Sequence, residues 1–255
     1  MSKEFLQTIL KQKEQEVSAM SYEELQSLRS TYSLYEYLKS HLQELQLIAE
    51  VKKASPSLGD INLAVDIVEQ ARTYERCGAA MISVLTDEIF FKGHLDYLRE
   101  ISSQVTIPTL NKDFIIDEKQ IVRARNAGAT VILLIVAALP EKRLQELYDF
   151  ATGLGLEVLV ETHNLAELEI AHRIGARIIG VNNRNLVTFE TDIHTSLQLS
   201  AHFKDGRVYV SESAIFSKED AELVAPYFHA VLVGTALMQA EDVAEKIKEL
   251  KIDKG

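Results

Sequence analysis

Eight short apolar runs alternate with eight amphipathic segments between residues 45 and 255, and three of the segments close on the same Gly-Ala step. Strands alternating with helices imply parallel pairing and right-handed crossovers. These two observations predict an α/β protein, a (β/α)8 TIM barrel with an N-terminal helical extension. The 255-residue length agrees, because such barrels run to about 250 residues without splitting. We therefore expect one domain over 1–255, with 1–44 as a helical extension packed on a barrel formed by 45–255. An open doubly wound sheet is the runner-up, and it would show fewer strands and a Gly-rich first turn.

In the extension, Phe5, Ile9, Leu10 and Val17 recur at roughly helical spacing among Lys and Glu residues, which predicts a helix over 4–18. A second helix is expected over 33–42, the two acting as a lid or plug. The apolar runs place strands at 47–51, 81–85, 107–110, 131–136, 156–160, 178–181, 208–210 and 230–233. The amphipathic stretches place helices at 65–76, 95–103, 118–126, 141–152, 165–174, 194–203, 217–226 and 236–250. Gly78, Gly128 and Gly175 each follow a helix and precede a strand, where a left-handed cap favours glycine. Asn164 with Glu167 predicts a reciprocal N-cap, and Ser217 a further one.

Bulk properties narrow the function. A net charge of −11 argues against holding a nucleic-acid backbone on a basic surface, so any anionic substrate needs a local cluster of positive groups. Cys77 is the single cysteine, which excludes an internal disulfide and a multi-thiolate metal site. No apolar run approaches the ~20 residues of a membrane span, and the charged N-terminus lacks a signal-peptide core. The expectation is a soluble, cytoplasmic protein without a membrane partner.

In a barrel of this kind, chemistry sits at the C-terminal ends of the strands. The first run ends in Glu50 and Lys52, whose two-residue spacing aims both at one face. Later runs end in Thr86-Asp87, Asn111-Lys112-Asp113-Phe114, Glu161, Asn182-Asn183-Arg184, Ser211-Glu212-Ser213 and Gly234-Thr235. Phe91 and Phe114 read as core or wall. His163 beside Glu161 raises the question of a metal, but no second histidine has ligand spacing, so it reads as structural. The small residues Ser213-Ala214 and Gly234-Thr235 fall where such folds bind phosphate through backbone N–H groups and a helix N-terminus, so a phosphorylated substrate is expected.

Five segments in order resemble the indole-3-glycerol phosphate synthase family: 49–57 (Ala-Glu-Val-Lys-Lys-Ala-Ser-Pro-Ser), 112–115 (Lys-Asp-Phe-Ile), 160–161 (Val-Glu), 180–186 (Gly-Val-Asn-Asn-Arg-Asn-Leu) and 211–213 (Ser-Glu-Ser). The resemblance covers nearly the whole chain. It implies a carboxy-lyase of tryptophan biosynthesis that closes the indole ring of 1-(2-carboxyphenylamino)-1-deoxyribulose 5-phosphate, losing water and carbon dioxide. By the same resemblance Lys112 is the acid that assists carbonyl attack and hydroxyl loss, Glu161 and Glu50 flank the reacting carbons with Glu161 in a proton-transfer role, and Lys52 meets the substrate carboxylate; either lysine can deliver an individual proton. Asn182 and Arg184 position the substrate, and Ser213 lies beside the sugar. Phe91, Phe114 and Leu133 wall the anthranilate ring, while Ser55, Ala214, Gly234 and Thr235 take the phosphate. A monomer with no metal and no organic cofactor is implied.

Family members usually carry Gly where this chain has Ala214, which keeps the N–H but resists a positive φ; where this chain has Thr235 they commonly carry Ser or another residue. Two other readings compete. Phosphoribosylanthranilate isomerase places a cysteine at the end of its first strand, where this chain has Glu50-Val51-Lys52. A non-catalytic phosphate-binding barrel would not need the full set of acids and bases.

Overall fold

The computed structural model describes residues 4–27, 32–52, 54–55, 59–60, 66–185 and 188–255; the expected motif residues Lys53, Pro56, Ser57 and Leu186 lie outside the described residues. Eight parallel strands close on themselves: β1 (Gln46–Val51), β2 (Met81–Leu85), β3 (Thr109–Lys112), β4 (Val131–Ile135), β5 (Glu157–Thr162), β6 (Ile178–Asn182), β7 (Val208–Glu212) and β8 (Ala230–Val233). Each pairs with its neighbours in sequence, and β1 pairs with both β2 and β8, so no barrel edge stays open. A short antiparallel pair, Ala54–Ser55 with Gly59–Asp60, follows β1.

Two-residue alternation separates the core into layers. Ile48, Leu110, Leu133, Leu159, Ile178, Val210 and Leu232 fill the barrel interior. Ala49, Ile82, Val84, Ile132, Val160, Ile179 and Val231 face outward under the helices. The inward series, carried upward, reaches Glu50, Lys112, Glu161, Asn182 and Glu212, so one periodicity builds both the apolar floor and the polar top.

The glycine caps form as expected, Gly78, Gly128 and Gly175 standing at φ +85°, +100° and +77°. Ser217 caps the helix Lys218–Val224 in a reciprocal box with Asp220. The third strand lies two residues later than expected, which keeps its parity and brings Lys112 onto the strand itself. Pro108 has no N–H for the ladder and precedes the strand, taking part only through its carbonyl, which accepts from Ile82 N (3.0 Å). The expected last helix divides into Thr235–Met238 and Val243–Leu250, because Asp242 accepts from the Ala244 and Glu245 N–H groups and starts a new helix. The expected helix over 194–203 stops at Ser200.

The extension contributes α1 (Glu4–Ala19) and α2 (Leu34–Ser40), at opposite ends of the barrel. Helix α2 plugs the bottom: Leu34 and Leu38 join the interior cluster. Glu157 at the start of β5 accepts from Ser33 Oγ (2.7 Å), Leu34 N (2.6 Å) and Tyr35 N (3.1 Å), satisfying the free donors of the helix N-terminus. Helix α1 crosses the top, where Phe5, Leu6 and Ile9 border a cleft.

Candidate active site

The strand tops surround a cleft of about 1220 Å³, its open mouth included. Six sequence-predicted catalytic residues line it together: Glu50, Lys52, Lys112, Glu161, Asn182 and Ser213. So do the four predicted substrate contacts, Arg184, Phe91, Phe114 and Leu133, and three of the predicted phosphate contacts, Ala214, Gly234 and Thr235. Ser55 lies on a described strand, but its side chain falls outside the described residues.

Two charged clusters face each other across the floor. Lys52 Nζ stands 2.9 Å from Glu50 Oε1. Lys112 Nζ stands 2.5 Å from Glu212 Oε2 and 3.4 Å from Glu161 Oε2. Burial opposes the charge on Glu50, yet Lys52 and Lys112 outweigh it and hold the carboxyl below its ordinary value. Burial likewise opposes charge on Lys112, but Glu212, Glu161 and Glu50 raise it above its ordinary value. The two glutamates beside Lys112 diverge. Glu161 is depressed, burial being outweighed by Lys112, His163 and a hydrogen bond from Asn182. Glu212 rises to about 7, because burial and the Glu161 charge prevail over Lys112.

Glu212 is the site residue that the sequence reading passed over in favour of Ser213. Its side chain is 1 % exposed and holds the shortest contact to Lys112. Strand alternation carried the signal: Val208, Val210 and Glu212 share the inward parity, whereas Ser213 is one residue out of phase. Ser213 reaches the cleft only because the chain turns there, with Ser213 and Ala214 at φ +63° and +60°. Asn183 secures this turn, its Nδ2 donating to Ser213 O (3.1 Å) and Ser211 Oγ (3.0 Å).

Two inward-facing glycines make the carboxylates possible. A Cβ on Gly180 would strike Glu212 Oε1, and one on Gly234 would strike Glu50 Oε1 and crowd Lys52 Nζ. Gly234 was expected to let the backbone approach an anion; it also leaves room for the Glu50–Lys52 pair.

The remaining wall is apolar. Phe91 and Phe114 lie with ring centroids 5.9 Å apart. Phe5 of α1 meets Phe90 at 5.6 Å and Phe189 at 5.0 Å, both edge to face. Arg184 donates to Phe189 O (2.9 Å), and burial lowers its guanidinium below the ordinary value, with Glu50 acting in the opposite sense. The lid is held by a lysine that sequence reading also missed. Lys13, 3 % exposed, pairs with Asp113 at 2.8 Å, Asp87 at 2.9 Å and Glu16 at 3.0 Å. Its signal was position: Ile9, Lys13 and Val17 recur every four residues on one stripe of α1. Among the described residues, no cluster of three or more His, Cys, Asp or Glu side chains is arranged to hold a metal ion.

Residues 6–250 match the family model described as indole-3-glycerol phosphate synthase. The chain belongs to the indole-3-glycerol phosphate synthase family. Members of this family are carboxy-lyases of tryptophan biosynthesis. Relatives of that name from Streptococcus sanguinis (strain SK36) and Streptococcus gordonii (strain Challis) are 95% and 94% identical over 255 residues, covering all of both chains. One from Streptococcus mutans serotype c is 74% identical over the same full length. Among solved structures, a 3-hexulose-6-phosphate synthase superposes with a TM-score of 0.61 at 14% identity, over 81% of this chain and 98% of that one. The enzyme of that name from Salmonella typhimurium gives 0.63 at 15%, over 81% and 96%. At such identities the likeness is one of fold. No helix among the described residues is long and apolar enough to cross a membrane.

Proposed function

We propose that the cleft closes the indole ring of 1-(2-carboxyphenylamino)-1-deoxyribulose 5-phosphate, releasing carbon dioxide and water. The observation that carries this reading is the convergence of Lys52, Lys112, Glu50, Glu161 and Glu212 beside an aromatic wall. Ring closure needs an acid at the ribulose carbonyl, negative charge beside a cationic imine-like intermediate, and a base for the last proton.

Lys112 supplies the acid. Its proton goes to the carbonyl oxygen as the ring carbon bearing the carboxylate attacks, and an acid proton then leaves with that oxygen as water. In the resting site its two carboxylate partners hold the ammonium charged, so substrate must loosen the contact to Glu212 before the proton can move. Lys52 meets the carboxylate that departs as carbon dioxide. Glu50 and Glu161 face the developing positive charge, and Glu161 takes the proton whose loss completes the aromatic ring. Asn182 and Arg184 orient the sugar, with Ser213 beside it. Phe91, Phe114 and Leu133 hold the anthranilate ring, while Ala214, Gly234, Thr235 and Ser55 receive the phosphate. Anchoring a ring and a phosphate at opposite ends of one cleft brings the reacting carbons together.

The test is appearance of indole fluorescence from this substrate with purified protein; its absence would sink the reading. Lys112→Ala and Glu161→Gln each remove a proton-transfer group, so kcat should fall about 100-fold or more. Unchanged turnover would overturn those roles even if the activity stands. Thr235→Asp should raise KM through charge repulsion with the phosphate, and an unchanged KM would count against that site.

A further inference from the structure

A buried titratable side chain beside Glu161 is left without a task by this chemistry. His163 lies two residues beyond Glu161 and one beyond the end of β5. Its ring is 11 % exposed and lies between two carboxylates, Nε2 3.2 Å from Glu161 Oε1 and Nδ1 3.0 Å from Glu167 Oε2. The Glu161 contact is an ion pair, off the line of a hydrogen bond. Glu167 is itself fixed in the first turn of the helix Leu165–Arg173. Its Oε2 also accepts from His163 N (2.8 Å), and its Oε1 accepts from Asn164 Nδ2 (2.7 Å). Asn164 Oδ1 accepts in return from Glu167 N (3.1 Å), so the expected cap forms, with the glutamate reaching back to His163 rather than to the cap residue's own N–H.

We propose that His163 is a positioning residue: gripped by Glu167, its imidazolium holds the Glu161 carboxylate ionised and oriented between Lys112 and Asn182 for proton transfer. The inference rests on the reading of Glu161 as the proton-transfer carboxylate. A neutral imidazole has one N–H and one lone pair, so it would turn a lone pair toward one of the two carboxylates; only the doubly protonated ring suits both. The charged groups facing the ring are Glu161 on β5, Glu167 on the following helix and Glu212 across the barrel, with Lys112 beyond Glu161. Burial opposes the ring's charge, but Glu161 and Glu167 outweigh it and raise His163 to about 10.

This contact accounts for the divergence of the two buried glutamates. Glu161 has two cations, Lys112 and His163, in contact, while Glu212 has Lys112 alone. Glu161 is accordingly the carboxyl of the two that more readily stays ionised.

His163→Gln keeps an amide donor and removes the charge. Its kcat should fall about tenfold or more while KM changes little, as for loss of an outer contact that orients a reacting group. The acid limb of its kcat–pH profile should move to higher pH, because Glu161 then protonates more readily. Glu167→Gln should move the limb the same way by less, and the double variant should add nothing to His163→Gln. Nitrogen NMR of the ring should find both nitrogens protonated at pH 8 in the intact protein. A merely structural histidine would lower stability and leave the acid limb in place. An unmoved limb, or a ring titrating near 6.5, would overturn the proposal. If Glu161→Gln retains turnover, the role of Glu161 falls; if that variant is inactive while His163→Gln keeps its acid limb, only the role of His163 falls.

Discussion

The two ends of the barrel are closed by the two helices of one extension, and by different physics. At the bottom, α2 inserts Leu34 and Leu38 into the interior, and Glu157 meets its free N–H groups. At the top, α1 is fastened by Lys13 between Asp87 and Asp113. A hydrophobic plug seals without leaving space. An ion cluster fixes a helix beside a cavity that must stay open, because its strength lies in a few charged contacts and not in filled volume. The bottom closure therefore serves stability alone, and the top closure serves stability and the shape of the cleft.

The sharpest way to break this contrast is to remove the central cation. Lys13→Met leaves Asp87 and Asp113 buried without their partner, which should cost about 3–5 kcal/mol in urea unfolding. Because Phe5, Leu6 and Ile9 border the cleft, KM should rise as well, measured well below the melting temperature. An unchanged KM would mean that α1 does not shape the site. The matching change at the bottom, Leu38→Ala, should cost on the order of 3 kcal/mol through its cavity. Its KM and kcat per folded molecule should stay as they were, and a loss of either would erase the distinction.

Histidines at the two ends set opposite pH limits. At the bottom, His172 bonds Tyr209 Oη at 3.0 Å, and His229 Nδ1 accepts from Tyr209 N at 3.2 Å. Burial, then Lys204 and Arg207 for His172 and Lys254 and Lys39 for His229, push both rings down to about 4. Each is neutral when folded, so the unfolded chain binds more protons and stability falls as pH drops from about 6.5 toward 4. His163 at the top is raised, so its contribution is complete below about 6.5 and is lost as pH rises through about 10. The urea midpoint against pH should thus form a dome. His229→Gln should flatten its acid side and His163→Gln its alkaline side; a midpoint indifferent to either change would contradict the pairing. The smallest expected effect is a gain. Ala214 stands at φ +60°, where a Cβ costs roughly 1 kcal/mol, so Ala214→Gly should raise stability by about that amount.

Much of the site was legible because strand alternation is local. Glu50, Lys52, Lys112, Glu161 and Asn182 all fall on the inward parity of runs whose ends can be read directly. The same parity selects Glu212 over Ser213 on the seventh strand. Less legible was the reason for Gly180 and Gly234, since the atoms that need the missing Cβ belong to other strands.

By itself, then, the sequence determined the barrel, its glycine caps and the ring of charges at the strand tops, because each depends on periodicity or on neighbours a few residues apart. Only the tertiary structure decided which charges meet. Lys13 finds Asp87 and Asp113, Glu157 finds the start of α2, and Lys112 lies closer to Glu212 than to Glu161. Those pairings follow from closure of the barrel, which brings distant strand tops together in a buried space where solvent no longer screens one charge from another.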